Sequence, residues 1–310
     1  MGTIKIKEEK GIIYSNKKLL EIISKSEIKK FLKAELSEKV DQNGLLFSLG
    51  SFDNQFGELE RLIVSSKPLY NKWTQRIGNK DRKLSVPKKP LKIFFEQYIL
   101  PFVKRKEVHY CCHGGEVGWS TRRSVESHIP AACMFSFDLS DAFNNVNIGY
   151  IYPLFYNLLN SAPEKYKADI AWFLSIISTV SREEIRFLPQ GSPIGMALFN
   201  RILSPIDDFI YENAKKRGMK FSRWVDDFNL SSKTPRAIYE FLGALKSVEE
   251  YFPISKTKIY LQNSYPIYIN GQVITQEIVR RNSREERETN KCGNIQYETI
   301  LKMDYHQWLE

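Results

Sequence analysis

No run of about 18 apolar residues occurs in the 310-residue chain, which excludes a membrane-spanning helix. The opening MGTIKIKEEKG lacks the apolar stretch of a secretory leader. Ile6 stands where a myristoylation signal needs Ser or Thr. Cysteine is scarce: Cys111, Cys112, Cys133 and Cys292 build no disulfide framework. The stretch CCHGG has no second ligand pair at zinc-finger spacing, so the thiols read as structural. A cytoplasmic location is the expectation. No internal repeat is visible. What remains is 42% hydrophobic and 26% charged, enough for a core in one large or two modest domains.

The net charge of +10 is concentrated. Residues 61–123 hold 15 Lys/Arg against 4 Asp/Glu, whereas residues 1–60 balance at 10 of each and the remainder at 21 against 22. Within that block, basic residues interleave with aromatics, as in KPLYNKWTQRIGNKDRK and FVKRKEVHY. Such interleaving suits a groove that meets phosphates and stacks on bases. Nucleic acid is the leading partner and an anionic membrane surface the second.

Apolar spacing predicts a helix over 16–40, a loop over 41–60, and a helix over 91–103 ending near Pro101. MFSFD (134–138) reads as a short strand running into an acid. Helices follow around 148–160 and 165–180, then the turn LPQGSPIG, then a helix kinked or interrupted near Pro205. FSRWV and FNLSS flank Asp226 and Asp227 as a hairpin, and 236–252 is an amphipathic helix. Asn270-Gly271 marks a second hairpin. From Arg280 the chain is polar and expected to be mobile, with a last short helix. The order points to an α+β fold rather than alternating parallel units.

Two adjacent acids at a hairpin tip have a bland reading as an exposed turn. Asp138, at the end of an apolar strand, supplies a partner. If those strands are neighbours, Asp138, Asp226 and Asp227 meet at one sheet edge, as a two-Mg2+ site requires. Asp207-Asp208 is a second acidic pair, but it falls in helical periodicity, where neighbouring side chains diverge. It is expected to cap or to form a salt bridge.

These motifs resemble the bacterial reverse transcriptase family, the group of retron, group II intron-like and defence-associated enzymes, over roughly residues 75–272. FDLSDAF, LPQGSP, WVDD and FPISKTKI resemble its palm motifs, and YINGQVI its primer-contacting hairpin. RKLSVPKKPLKIFFEQYIL resembles the fingers pattern, and HGGEVGWSTRRSVESH the segment preceding the first palm motif. The resemblance implies a right-hand polymerase with fingers and palm and a short, reduced thumb. It divides the chain into an N-terminal helical extension (1–74), fingers (75–133), palm with interleaved fingers helices (134–264), and primer-grip hairpin with short thumb or tail (265–310).

It further implies Asp138, Asp226 and Asp227 as ligands of two Mg2+ ions, with Mn2+ a substitute, and Lys256 as a general acid for pyrophosphate. Lys80 and Arg82 would grip the triphosphate, and Asp141 and Ala142 would meet it through backbone N–H groups. Phe143 would crowd a ribose 2′-hydroxyl, with core packing as its alternative role. Gln190 and Gly191 would contact nucleotide and template. Trp224 departs from the family's usual Tyr or Phe. The implied activity is RNA-directed DNA synthesis from dNTPs, on a structured noncoding RNA template with a nucleic-acid primer, in a retron-like or anti-phage defence system. A homo-oligomer or an accessory protein would compensate for the short thumb. Two alternatives stay open: a catalytically inert RNA-binding scaffold, and template-independent or protein-primed synthesis.

Overall fold

A computed structural model of the chain describes residues 16–37, 49–77, 80–182, 185–260, 267–269, 272–274, 279–281 and 294–295. The first elements are α1 (Asn16–Ile23), α2 (Ser26–Ser37) and α3 (Leu49–Val64). The single helix expected over 16–40 is thus two. The loop expected over 41–60 is in good part helix. Gly50, Ser51, Asn54 and Gly57 weaken helix propensity there, but Phe52, Phe56, Leu59 and Ile63 form a buried stripe at helical spacing, and tertiary burial outweighs propensity.

Next come β1 (Tyr70–Ile77) and β2 (Lys80–Pro87), an antiparallel ribbon. A helical run then passes from α4 (Lys89–Phe94) through a π turn at Phe95–Ile99 into α5 (Leu100–Lys104). It does not end at Pro101. The Leu100 N–H donates to the Phe95 carbonyl, and this wider turn accommodates a proline that an unbroken α-helix would resist. α6 (Thr121–Glu126), β3 (Cys133–Leu139), α7 (Ala142–Asn145), α8 (Ile148–Leu158) and α9 (Glu164–Ile177) follow. β4 (Val180–Arg182) and β5 (Ile185–Phe187) pair ahead of α10 (Gly195–Lys215), which is continuous through Pro205.

The last part holds β6 (Lys220–Trp224), β7 (Asp227–Ser232), α11 (Pro235–Glu249), β8 (Ile254–Tyr260), β9 (Ile267–Ile269), β10 (Gln272–Ile274), β11 (Val279–Arg281) and β12 (Asn294–Ile295). β9 and β10 pair antiparallel as the Asn270-Gly271 signal predicted. Two short strands, β11 and β12, lie in the stretch expected to be mobile. The expected last helix, Cys292 and the tip residues 270–271 lie outside the described residues.

The chain falls into two compact units. The first comprises 1–107 and 143–202. Its core includes Phe52, Phe56, Phe94, Tyr98 and Phe173, whose rings meet edge-on, tilted or stacked. The buried Tyr70 hydroxyl donates to the Ile177 carbonyl and fastens the base of the ribbon to the end of α9. The second unit comprises 108–142 and 203–310. It is built on a five-stranded sheet in the order β12-β8-β3-β7-β6, with α11 packed on β3 and β7. Among the described residues no helix is long and apolar enough to cross a membrane.

Candidate active site

β3 runs antiparallel between β7 and β8, and its register decides what meets what. Asp138 stands opposite Asp227 on one side and opposite Lys256 on the other. Trp224 stands opposite Asp227 in turn. Directly opposed residues share a sheet face, so Asp138, Asp227 and Trp224 form one row at the sheet's end, with Lys256 at the register position beside Asp138. The next row inward on that face is polar as well: Ser136, Asn229 and Ser222. The alternate positions carry the apolar load, with Phe137 stacked on Phe228 at 4.6 Å and Phe221 on Phe228 at 6.1 Å. The period of two thus puts Asp138 and Asp227 on one face and the stacked phenylalanines on the other. Asp138 is half-buried, and its Oδ2 accepts a hydrogen bond from Ser255 Oγ at 3.2 Å.

Asp226 is not on the strand. It and Val225 form the two-residue connection between β6 and β7. Val225 has φ +62° while Asp226 is not left-handed, the φ pattern of a type II′ hairpin turn. That first position favours glycine; a β-branched residue there costs on the order of 1–3 kcal/mol. The Asp226 carbonyl accepts from the Leu139 N–H at 3.2 Å, tying the turn to the residue after Asp138. The backbone therefore sets Asp138 and Asp227 opposite each other on adjacent strands, with Asp226 in the attached turn. Hard carboxylate oxygens suit Mg2+. Among the described residues no group of three His, Cys, Asp or Glu side chains is arranged to hold a metal ion, so an ion at these acids would need substrate phosphates and water for the rest of its coordination.

The segment 111–114 braces this turn. Arg223 N–H donates to the Cys111 carbonyl at 2.8 Å, and its own carbonyl accepts from His113 N–H at 2.9 Å. Gly114 lies on the Val225 backbone. The Arg223 side chain is wholly buried. Its Nε and Nη2 each reach a different oxygen of Asp207 at 2.6 Å, and Nη1 donates to the Val225 carbonyl at 2.6 Å. Burial pushes the Asp207 carboxyl up from its ordinary value, against the pull of Arg223. Asp207 thus forms the salt bridge expected of it, while Asp208 is largely exposed. Sequence reasoning missed Arg223 and Gly114. The salt bridge expected of Asp207 was the only signal pointing toward them.

On the polar face, His128 bridges two strands: Nδ1 to Ser231 Oγ and Nε2 to Ser222 Oγ, both at 2.8 Å. Burial, then the nearby Lys220 charge, pushes this imidazole down to about 3. His113 pairs with Ser124 at 2.8 Å and stacks on Trp119 at 3.5 Å. Burial likewise pushes the His113 imidazole down, to about 4, and both histidines serve the framework through their hydroxyl partners.

The other predicted residues divide between the units. Asp141 and Ala142 follow β3 in the second unit; Asp141 is exposed and left-handed at φ +44°, and Ala142 is buried. In the first unit, Phe143 is half-buried and stacked on Phe199 at 4.8 Å. Lys80 and Arg82 lie on β2, with Arg82 exposed. The Gln190 carbonyl accepts from Ser85 N–H at 2.8 Å. Gly191 has φ +101°, and a Cβ there would stand 2.9 Å from Val86 Cγ2. The LPQG turn is therefore docked on the base of the ribbon that carries Lys80 and Arg82, and only glycine fits it.

Residues 77–268 match the family profile described as reverse transcriptase (RNA-dependent DNA polymerase). The chain belongs to this family. Among curated relatives, the Retron Mx65 reverse transcriptase of Myxococcus xanthus is 25% identical over 195 residues, covering 58% of this chain and 45% of the relative. The Retron Ec86 reverse transcriptase of Escherichia coli is 27% identical over 169 residues, covering 54% and 50%. This reverse transcriptase-family chain thus spans about half the length of the curated relatives it matches. Among solved structures, apo telomerase from Candida tropicalis, truncated from its C-terminal domain, aligns with a TM-score of 0.52 at 13% identity, over 84% of this chain and 66% of that one. That likeness supports the right-hand polymerase fold with fingers and palm.

Proposed function

We propose that the chain is an RNA-directed DNA polymerase, a nucleotidyltransferase that extends a primer with dNTPs. The observation that carries this reading is the opposed pair Asp138–Asp227 with Asp226 in the adjoining turn, in a chain of this family. Residues 75–133 are read as fingers, 134–264 as palm with interleaved fingers helices, and 265–310 as the primer-contacting hairpin, which holds β9 and β10, with a short thumb. Asp138 and Asp226 are the main ligands for two Mg2+ ions, or Mn2+, and Asp227 assists. Bound there, the ions would lower the pKa of the primer hydroxyl and neutralise charge on the leaving pyrophosphate.

The remaining roles fall to the chain's own groups. Arg82 and Lys80 hold triphosphate oxygens, Arg82 through its planar fork. The backbone N–H groups of Asp141 and Ala142 meet triphosphate oxygens. Gln190 and Gly191 place template and nucleotide, and Phe143 excludes a 2′-hydroxyl. Lys256, in register with Asp138, delivers a proton to pyrophosphate. The basic block of residues 61–123 receives a structured noncoding RNA. The retron relatives support a retron-like setting; a role in anti-phage defence, a cytoplasmic location, and a second copy or an accessory protein aiding processivity complete the proposal.

The test is to purify the protein with its bound nucleic acid, sequence that RNA, and supply labelled dNTPs or NTPs with Mg2+. Incorporation of dNTPs that is lost in Asp226→Ala/Asp227→Ala supports the reading. Undiminished incorporation in that double variant removes it. RNA retention without any incorporation leaves the inert scaffold, and dNTP addition without template leaves template-independent or protein-primed synthesis.

A further inference from the structure

A buried ion pair next to the acids has no role in the reading above, and its hydrogen bonds are aimed at one peptide. Arg223 places two arms on Asp207 and a third on the carbonyl of Val225, the residue directly before Asp226. A fourth contact, Nη2 to Cys112 Sγ at 3.1 Å, fills the remaining side. Both charged partners are fully buried. A buried ion pair is weak evidence for stability, because desolvation offsets most of its attraction, whereas removing one partner leaves a stranded charge. Its retention here coincides with a conformation that needs holding: Val225 at φ +62°.

Resting on the polymerase reading of the carboxylates, we propose that Arg223 and Asp207 are a positioning pair. Together they clamp the Val225–Asp226 peptide, hold Val225 in the left-handed region, and so set the Asp226 carboxylate for divalent-cation binding. The geometry gives each partner a distinct share. Asp207, carried on α10, fixes where the guanidinium lies. Arg223, whose backbone is already locked to Cys111 and His113, returns its side chain over the turn and fixes the Val225 carbonyl. Without that bond the Val225–Asp226 peptide loses its side-chain restraint against the backbone a β-branched residue prefers, and the Leu139 N–H on the Asp226 carbonyl is left to hold the turn on the β3 side. An ammonium cannot replace the fork: a lysine head cannot span both carboxylate oxygens and the carbonyl at once. Asp226 is the carboxylate that depends on the clamp, because Asp138 and Asp227 are already held by ladder pairing.

The experiment is a Mn2+ titration of the full chain followed by electron paramagnetic resonance, which reads the ion without requiring turnover. Asp226→Ala identifies the site. Arg223→Lys and the isosteric Asp207→Asn are each expected to weaken Mn2+ binding about tenfold or more, as loss of groups that orient metal ligands does. Leu245→Ala, a buried α11 truncation, serves as a destabilised control and is expected to leave Mn2+ affinity unchanged. In the polymerase assay, excess Mg2+ should restore much of the dNTP incorporation that Arg223→Lys forfeits. Unchanged Mn2+ affinity in Asp207→Asn and Arg223→Lys overturns the clamp, and so does an equal loss in Leu245→Ala. If Arg223→Lys does not fold, Asp207→Asn decides. A wild type with no Mn2+ signal that Asp226→Ala removes also overturns it. A wild type that binds Mn2+ through the clamp yet incorporates nothing leaves the clamp standing and removes the polymerase reading instead.

Discussion

Gly114 lies so close to Val225 that a Cβ on it would stand 2.3 Å from the Val225 nitrogen and 2.9 Å from the Trp224 carbonyl carbon. Those are backbone atoms and cannot swing aside, so any side chain at 114 displaces the turn that bears Asp226. Gly114→Ala is expected to cost on the order of 1–3 kcal/mol, as overpacking does, and to lower dNTP incorporation. Gly57, in α3, has nothing within 4 Å of its added Cβ. Gly57→Ala should stabilise by about 0.5–1 kcal/mol through helix propensity and leave incorporation alone. Urea melts and primer extension on both variants check this. Equal behaviour of the two would mean that the close approach at Val225 carries no constraint.

Why the acids were legible and their support was not follows from distance along the chain. A short apolar strand ending in Asp138, and two acids between strand-forming runs, are local patterns that periodicity reveals. The register that puts Lys256 opposite Asp138 is a tertiary fact, fixed by how three strands pair. Arg223 has the look of an ordinary strand residue because Asp207 lies on α10 and Gly114 on a segment more than a hundred positions earlier. Gly114 itself sits beside two cysteines and a histidine, a composition that raises only the zinc question, which the missing second ligand pair answers, and gives no hint of a backbone brace. The helix α3 was obscured for another reason: its stripe of Phe52, Phe56, Leu59 and Ile63 is present, but the Gly, Ser and Asn between them are loop formers. The π turn before Pro101 is an accommodation of register that no local pattern announces.

His128 makes acid stability testable. Its ordinary value of 6.5 is pushed down to about 3 by burial between Ser222 and Ser231. The unfolded chain therefore binds a proton that the folded chain refuses between those values. Stability from this group is complete above about pH 6.5 and falls as pH drops toward 3, by about 1.4 kcal/mol per pH unit. His128→Gln removes the titration while retaining hydrogen-bonding atoms. Unfolding free energies measured from pH 7 to 4.5 should fall less steeply in that variant. Parallel pH profiles would show that His128 is not held neutral.

Phe143 has both a packing partner and a solvent-facing share. Stacked on Phe199 and half-buried, it should cost less to truncate than the roughly 3–5 kcal/mol of a fully buried phenylalanine. If its free edge limits the sugar pocket, Phe143→Ala raises the rNTP-to-dNTP incorporation ratio by about 10–200-fold, the range over which a single steric clash discriminates. Primer extension with mixed nucleotides reads that ratio directly. A modest stability loss with an unchanged ratio would assign the ring to packing alone.

The β1–β2 ribbon separates two jobs by face. Residues opposed in its register share a face, so Gln75 with Arg82 lie on the face that also carries Val86, the residue under Gly191. Thr74 with Lys83 and Arg76 with Asp81 lie on the other. The exposed Trp73 shares the Arg82 face, while Arg76 and Lys83 are exposed on the second. Arg82→Ala is therefore expected to raise KM for dNTPs with little change in RNA affinity. Arg76→Glu/Lys83→Glu should instead weaken RNA binding and reduce the slope of log affinity against log salt by about 0.7–0.9 for each phosphate no longer neutralised. Filter binding across a salt series, beside steady-state kinetics, tells the two apart. If Arg76→Glu/Lys83→Glu leaves the slope where it was, the outer face of the ribbon does not touch phosphate, and the RNA path must be drawn through other basic residues of the 61–123 block.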